Sequence, residues 1–87
     1  MKTCEIVINN ASGLHARPAT FFIQKANFDR SNILIEKDER RVNAKSLLGV
    51  VSLGIAKGMT VKLTAEGQDE EAAIEGLVSL INSGFNE

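Results

Sequence analysis

Gly13-Leu14-His15-Ala16-Arg17-Pro18-Ala19 is the stretch around which this chain is organised, because it begins a helix beside the only histidine. Pro18 suits the first turn of a helix, where its missing N–H has no intrahelical partner in any case and its fixed φ is already helical. Gly13 permits a sharp approach of the chain. His15 is therefore predicted next to the positive end of a helix, whose free N–H groups favour an anion such as a phosphoryl group.

The segments on either side of this stretch show a strand pattern and a helix pattern. Apolar residues at a period of two predict a strand over residues 4–9, with Cys4, Ile6 and Ile8 on its buried face. A stripe at positions i, i+3, i+4 and i+7 predicts an amphipathic helix over residues 16–27, and its members are Ala19, Phe22, Ile23 and Ala26. The histidine thus lies between a strand and a helix.

The middle of the chain predicts a hairpin followed by a short helix. Residues 33–35 and 41–43 are typical of two short strands that turn through Asp38-Glu39, although neither turn residue is glycine. A serine directly before an apolar run is a helix N-cap signal. Ser46 is therefore predicted to cap a helix over residues 47–53, and Gly54 is a candidate for its end.

The last third of the chain predicts one more strand and one more helix. Residues 59–66 alternate between apolar and polar side chains, which indicates a strand with one buried face. Asp69 is predicted to cap a final helix with acidic residues in its first turn. Gly76 inside that helix is either a weak point or a close-packing position. The buried face of the helix is predicted to consist of Ala73, Leu77, Leu80 and Ile81.

The element order is therefore βαββαβα, which predicts an α+β fold. We expect an open-faced β-sandwich in which a four-stranded antiparallel sheet carries three helices on one face. A chain of 87 residues is enough for one domain and too short for two, so the domain is predicted to span residues 1–87.

The amino-acid composition excludes some classes of partner and indicates a cellular compartment. Ten basic and eleven acidic side chains give a net charge of -1, which removes the general attraction to nucleic-acid phosphates. A single cysteine cannot form an internal disulfide, so a reducing compartment and hence the cytoplasm are expected. The chain has no apolar run of about 20 residues, so no membrane span is expected. One histidine and one cysteine also do not make an ordinary zinc site.

His15 is the strongest candidate for chemistry. The helix N-terminus and the neighbouring Arg17 both disfavour an imidazolium, so the imidazole is expected to be a neutral nucleophile. A phosphoryl group on the ring would then face N–H groups and a guanidinium that favour an anion. The plain alternatives are a solvated loop histidine and an ordinary surface arginine. No Ser-His-Asp order or glycine-rich phosphate loop is present, so a self-sufficient hydrolase or kinase is not indicated.

Ser46 also has two interpretations from its sequence context. It is a simple N-cap, or it is a phosphorylation site whose phosphate would place about two negative charges on a surface shared with a partner. Leu47 and Leu48, which follow it, are either core residues or an exposed docking pair.

Two stretches, Leu14-His15-Ala16-Arg17-Pro18-Ala19 and Asn43-Ala44-Lys45-Ser46-Leu47-Leu48-Gly49-Val50, closely resemble motifs of the HPr family. These proteins are the histidine phosphocarriers of the bacterial phosphoenolpyruvate-dependent sugar phosphotransferase system. The resemblance implies that His15 accepts a phosphoryl group on Nδ1 from the phosphorylated first enzyme of the system and passes it to sugar-specific A components. It implies that Arg17 assists the transfer. A carrier of this kind is not itself an enzyme, and no cofactor is implied.

The same resemblance implies regulation at the second motif. Ser46 matches the serine phosphorylated by an ATP-dependent HPr kinase/phosphorylase, in a form that serves as corepressor for a catabolite-control transcription factor. Partner-binding roles are expected for four residues: Thr20, Lys45, Leu47 and Leu48. A monomer is expected.

The alternatives to a phosphocarrier are a regulatory or nitrogen-related HPr paralogue that acts mainly as a binding module, and a structural α+β domain. Relatives with glutamine at the active position keep regulation and lose sugar transport, and the presence of His15 favours a carrier. Lys45 and Leu47 beside Ser46 favour the kinase-regulated branch.

Overall fold

The computed structural model describes residues 1–87, and its elements follow the predicted order. They are β1 (Lys2–Val7), α1 (Ala16–Phe28), β2 (Asn32–Lys37), β3 (Arg40–Asn43), α2 (Leu47–Ser52), β4 (Thr60–Glu66) and α3 (Glu70–Asn82), followed by a 3-10 turn over Gly84–Asn86. The first strand begins and ends two residues earlier than predicted, and β2 ends two residues later than predicted. No helix has the length and apolar character needed to cross a membrane.

The four strands form one antiparallel sheet in the order β1-β4-β2-β3. The two central strands alternate buried and accessible residues along their length. Their buried side chains point to one face, and they are Ile33, Ile35, Val61, Leu63 and Ala65. The three helices cover this face, so the predicted open-faced sandwich is confirmed.

The core joins this face of the sheet to the inner faces of the helices. Its helical members include Phe22 and Ala26 of α1, Val50 of α2 and Leu77 of α3. Burial of each of the larger side chains, Phe22, Val50 and Leu77, stabilises the fold by about 1.5–3 kcal/mol relative to an exposed position. Leu80, which was predicted on the buried face of α3, is only partly buried. The buried residues of that helix are Ala73, Ile74, Leu77 and Ile81.

The hairpin between β2 and β3 turns through two residues without glycine, as the sequence required. Lys37 pairs with Arg40 across the end of the ladder. Asp38 adopts a φ of 58°, a left-handed conformation that aspartate tolerates better than most residues. Asp38 therefore takes the place of the glycine that such turns commonly use.

Asp69 lies at the N-cap position of α3, as predicted, but the predicted side-chain cap is not formed. Its carboxylate instead accepts hydrogen bonds from the N–H of Arg30 at 2.8 Å, from the N–H of Ser31 at 2.9 Å and from the Ser31 hydroxyl. Three donors from the α1–β2 connection outweigh one donor of its own helix. The Ser31 hydroxyl is the main cause that lowers the pKa of Asp69 below its ordinary value.

Gly76 is a close-packing position, which decides between the two roles that its sequence context allowed. A Cβ at Gly76 would lie 2.4 Å from Cε of Lys25. The Lys25 ammonium continues past the glycine to the Asp29 carboxylate, at 3.1 Å. The glycine therefore makes room for a side chain of α1 to cross α3.

Candidate functional site

The loop before His15 is held by its backbone against the connection between α2 and β4. The N–H of Leu14 donates to the carbonyl of Ile55 at 3.0 Å. Gly13 has a φ of 66°, and a Cβ there would lie 2.3 Å from the same carbonyl oxygen. Only glycine combines this left-handed backbone with so close an approach. Leu14 is fully buried, so the residue directly before His15 is fixed in the core.

His15 is the N-cap residue of α1, as its position before Pro18 predicted. Its backbone is extended, with φ −133° and ψ 160°, and its side chain makes no capping hydrogen bond. The imidazole is half-buried and belongs to no salt bridge. Ala16, the next residue, has a φ of 52°, which is a strained conformation for a residue with a Cβ. Strain of this kind concentrates at functional sites.

The backbone N–H groups at this helix start have no side-chain acceptor of their own. The carbonyl of His15 accepts the N–H of Ala19 at 3.5 Å. Ala16 and Arg17 precede the first intrahelical donor, and Pro18 has no N–H. Two N–H groups and the positive end of a 13-residue helix are thus available to an anion beside the imidazole.

Arg17 brings an exposed guanidinium to the same helix start. Its charge lies 5.5 Å from the centroid of the Phe21 ring. Neither of the two salt bridges involves it, and the arginine side chain that donates hydrogen bonds is Arg40. The guanidinium is therefore not committed to any carboxylate or carbonyl of its own chain.

A shallow surface depression joins this helix start to α2, and we call it the α1–α2 groove. Its lining residues are Ala16, Arg17, Thr20, Leu47, Leu48 and Val51. Leu48 is 84% exposed, Leu47 43% and Val51 37%. The two leucines are therefore exposed, so the interpretation of them as core residues is wrong. The Thr20 hydroxyl donates to the carbonyl of Ala16 at 3.3 Å.

Ser46 is the N-cap residue of α2, which is the plain interpretation of its sequence context. Its Oγ accepts the N–H of Gly49 at 3.1 Å, and its backbone is extended. The residue is partly exposed, so its hydroxyl can also be reached from outside. A Cβ on Gly49 would lie 3.3 Å from that Oγ, which shows how closely the cap packs.

Lys45 makes an internal contact that the sequence did not indicate. Its ammonium donates to the carbonyl of Asp29 at 2.8 Å, directly after α1. Its own carbonyl accepts from the Asn27 side chain at 3.1 Å. A cation at a helix C-terminus satisfies a carbonyl and complements the helix dipole. The structure therefore places Lys45 beside the end of α1 and outside the lining of the α1–α2 groove.

The structure adds a contact between the loop before His15 and Glu87. The Glu87 carboxylate accepts from the Ser12 hydroxyl at 2.6 Å, from the Ser12 N–H at 3.0 Å and from the Asn10 side-chain amide at 3.0 Å. The Ser12 hydroxyl is the main cause that lowers the pKa of Glu87 below its ordinary value. The Asn10 amide also donates to the carbonyl of Gly13 at 2.9 Å. No local sequence signal links residues this far apart along the chain.

Comparisons with known proteins agree with this geometry. Residues 2–83 match the PTS-HPr family model, described as "PTS HPr component phosphorylation site". The HPr-like protein Crh of Halalkalibacterium halodurans is 47% identical over 88% of this chain and 92% of its own length. The phosphocarrier protein HPr of Neisseria meningitidis is 42% identical over 94% of this chain and 92% of its own length.

Solved structures of HPr proteins superpose closely on this chain. HPr-C-His from Thermoanaerobacter tengcongensis superposes with a TM-score of 0.99 at 55% identity, covering 100% of this chain and 98% of the other. A structure described as the HPr dimer of the same organism superposes with a TM-score of 0.82 at 55% identity and full coverage of both chains.

Proposed function

This chain belongs to the HPr family of the phosphotransferase system, and on that premise we propose that His15 carries a phosphoryl group between partner proteins. It accepts the group from the phosphorylated first enzyme of the system and passes it to sugar-specific A components. The observation that carries this proposal is the uncapped start of α1, where a half-buried imidazole lies beside free N–H groups.

The chemistry requires little from this chain besides a nucleophile and an anion site. A neutral imidazole nitrogen attacks the phosphorus, a P–N bond forms, and the bond from phosphorus to the donor breaks. The phosphoryl oxygens then face the N–H groups of Ala16 and Arg17. Transfer to the acceptor reverses these steps at a second partner. Arg17 assists because its guanidinium has no competing ion pair.

The α1–α2 groove is the proposed docking surface for both donor and acceptor. It presents Leu47, Leu48 and Val51 to solvent directly beside the helix start that carries His15. Exposed apolar side chains grouped in this way are typical of sites that bind proteins. Thr20 lines the same groove, whereas the ammonium of Lys45 would have to leave the Asp29 carbonyl to bind a partner.

Ser46 is the proposed point of control. Phosphorylation by an HPr kinase/phosphorylase would add about two negative charges at the N-cap of the helix that lines the groove. The helix itself would tolerate the phosphate, because its oxygens can accept the Gly49 N–H that the hydroxyl now accepts at 3.1 Å. We propose that this form disfavours docking of phosphotransfer partners and serves as corepressor for a catabolite-control transcription factor.

A labelling experiment with phosphoenolpyruvate and the first enzyme tests the carrier function. We expect an acid-labile phosphoprotein from the wild-type chain, no label on His15→Ala and undiminished label on Ser46→Ala. Acid-labile label that persists on His15→Ala would contradict the assignment of the acceptor.

A second candidate function is a regulatory binding module, and the 47% identity to an HPr-like protein Crh favours it. In that account Ser46 phosphorylation is the important event and His15 is incidental. Two parallel incubations separate the accounts, one with ATP and the kinase and one with phosphoenolpyruvate and the first enzyme, because the binding module takes only acid-stable label on Ser46. The carrier accepts both kinds of label.

We further propose that the chain works in the cytoplasm and as a monomer. A dimer is described for the T. tengcongensis protein, so the oligomeric state of this chain is measured directly. Sedimentation at increasing protein concentration should give the mass of one chain throughout, and a twofold mass would contradict the proposal.

A further inference from the structure

Two cations lie over phenylalanine rings along α1, and they are held very differently. The Arg17 guanidinium lies 5.5 Å from the centroid of Phe21, and the Lys25 ammonium lies 4.8 Å from the centroid of Phe28. Phe21 is half-buried and Phe28 is 81% exposed. Both pairs have the spacing that brings side chains together on one helix face.

The Lys25 ammonium has a second and stronger partner. It forms a salt bridge of 3.1 Å with Asp29, a residue that is only 8% exposed. Its stem crosses Gly76, which leaves it little freedom to move. The Arg17 guanidinium takes part in neither salt bridge, and the Phe21 ring is its cation–π partner. The Glu87 carboxylate, which lines the same depression as Arg17, is already bound by Ser12 and Asn10.

The attraction between an exposed guanidinium and a ring is weak enough to be broken by an anion. It changes the population of the held position by about two- to fivefold. Charge-assisted hydrogen bonds from a guanidinium to phosphoryl oxygens are stronger than this. A phosphoryl group on His15, two residues before Arg17, would therefore draw the guanidinium from the ring.

We propose that the Phe21 ring is a resting platform for Arg17, occupied while His15 is free and vacated when His15 carries a phosphoryl group. This inference rests on the proposed function. Because the ring attracts the guanidinium only in the unphosphorylated protein, it makes the phosphorylated state less favourable by the same two- to fivefold factor. Phe21 is thus a positioning residue that keeps the phosphoryl group easy to pass on.

An exchange equilibrium measures this factor directly. Equal amounts of wild type and Phe21→Leu are mixed with limiting phosphoenolpyruvate and a catalytic amount of the first enzyme, until the phosphorylated fractions are constant. One P–N bond breaks on one protein for each that forms on the other, so the equilibrium constant compares the two proteins alone. Intact-mass spectrometry reads both phosphorylated fractions, and we expect an exchange constant of about two to five in favour of Phe21→Leu.

Matched variants separate a platform from a general packing effect. Phe28→Leu removes the other ring under a cation and should exchange with wild type at a constant near one. Phe21→Tyr keeps an aromatic face and should also give a value near one. In an Arg17→Gln background, Phe21→Leu should lose its advantage, because the guanidinium that the ring attracts is gone.

Each outcome decides the inference. A constant near one for Phe21→Leu, a constant that favours wild type, or an advantage that persists in the Arg17→Gln background would overturn the platform. A wild-type chain that takes no phosphoryl group at all would instead contradict the proposed function, and the inference would fall with it.

Discussion

The starts of α1 and α2 carry the two proposed phosphorylation sites, and they are built in opposite ways. At α1 the cap residue His15 makes no side-chain hydrogen bond to the helix, and Ala16 has a φ of 52°. At α2 the cap residue Ser46 accepts the N–H of Gly49 at 3.1 Å. The backbone N–H groups at the start of α1 are therefore free to bind an anion. At the start of α2, the cap hydroxyl accepts an N–H and stabilises the helix.

The two starts also differ in what holds them in place. The start of α1 depends on remote contacts, since Gly13 lies against Ile55 and Glu87 binds Ser12 and Asn10. The cap of α2 is local, because Ser46 accepts an N–H of its own helix, and the remote contacts there are those of the neighbouring Lys45 with the end of α1. A strained, uncapped helix start persists only where the surrounding structure determines it, so the anion site at His15 is a product of the tertiary fold.

The largest effect is expected from a substitution that breaks the remote support of α1. Gly13→Ala would place a Cβ 2.3 Å from a backbone oxygen at a φ of 66°, and we expect a loss of about 3 kcal/mol in the free energy of unfolding. Gly54→Ala is the matched control, since its φ of 64° is equally unusual but no atom lies within 4 Å. It should cost about 1 kcal/mol in urea unfolding. Equal losses for the two variants would show that the close contact with Ile55 is unimportant.

The next largest effect is a difference in stability between substitutions of the two cap residues. Ser46→Ala removes the acceptor of the Gly49 N–H and should lower stability by about 1 kcal/mol. His15→Ala removes no hydrogen bond, so its free energy of unfolding should stay within about 0.5 kcal/mol of wild type. Urea denaturation of both variants at pH 7 measures the difference. If His15→Ala were the more destabilised of the two, the description of α1 as uncapped would be wrong.

The smallest effect concerns the start of α3, where Asp69 binds the α1–β2 connection instead of its own helix. The pKa of this carboxyl is lowered in the fold from its ordinary value of 3.8, chiefly by the Ser31 hydroxyl. Its contribution is therefore present above that value and is lost as the pH falls through the lower folded pKa. The residue lies near solvent, so the effect on stability is modest.

Asp69→Asn tests this pH dependence. The stability of the variant should decline less than that of wild type between pH 5 and about pH 2, because the unfolded state no longer gains a proton at this position. Parallel curves for Asp69→Asn and wild type would contradict the role assigned to the carboxylate.

Local patterns predicted much of this molecule because the relevant interactions are local. The helix that follows His15 is marked by Pro18 and by an apolar stripe, and both lie within a few residues. The cap of α2 is likewise contained in Ser46 and the residues that follow it. These features need no knowledge of the rest of the fold, and the sequence predicted each of them.

The errors arose where distant contacts overrule local preference. Asp69 suits an N-cap locally, but the chain brings Ser31 to it from 38 residues away. Glu87 and Ser12 are separated by 75 residues, so their contact has no local signal. The strand β1 begins early because Lys2 and Thr3 pair with Ala65 and Thr64, and ladder hydrogen bonds do not depend on an apolar side-chain pattern.

The most direct test of the contrast between the two helix starts is an amide NMR spectrum of the 15N-labelled protein, recorded before and after phosphorylation by phosphoenolpyruvate and the first enzyme. We predict the largest downfield shifts at the N–H groups of Ala16 and Arg17, because these receive the phosphoryl oxygens. The N–H of Gly49, already bonded to Ser46, should hardly move. Unchanged signals from Ala16 and Arg17 in a fully phosphorylated sample, or a larger shift at Gly49, would contradict the account.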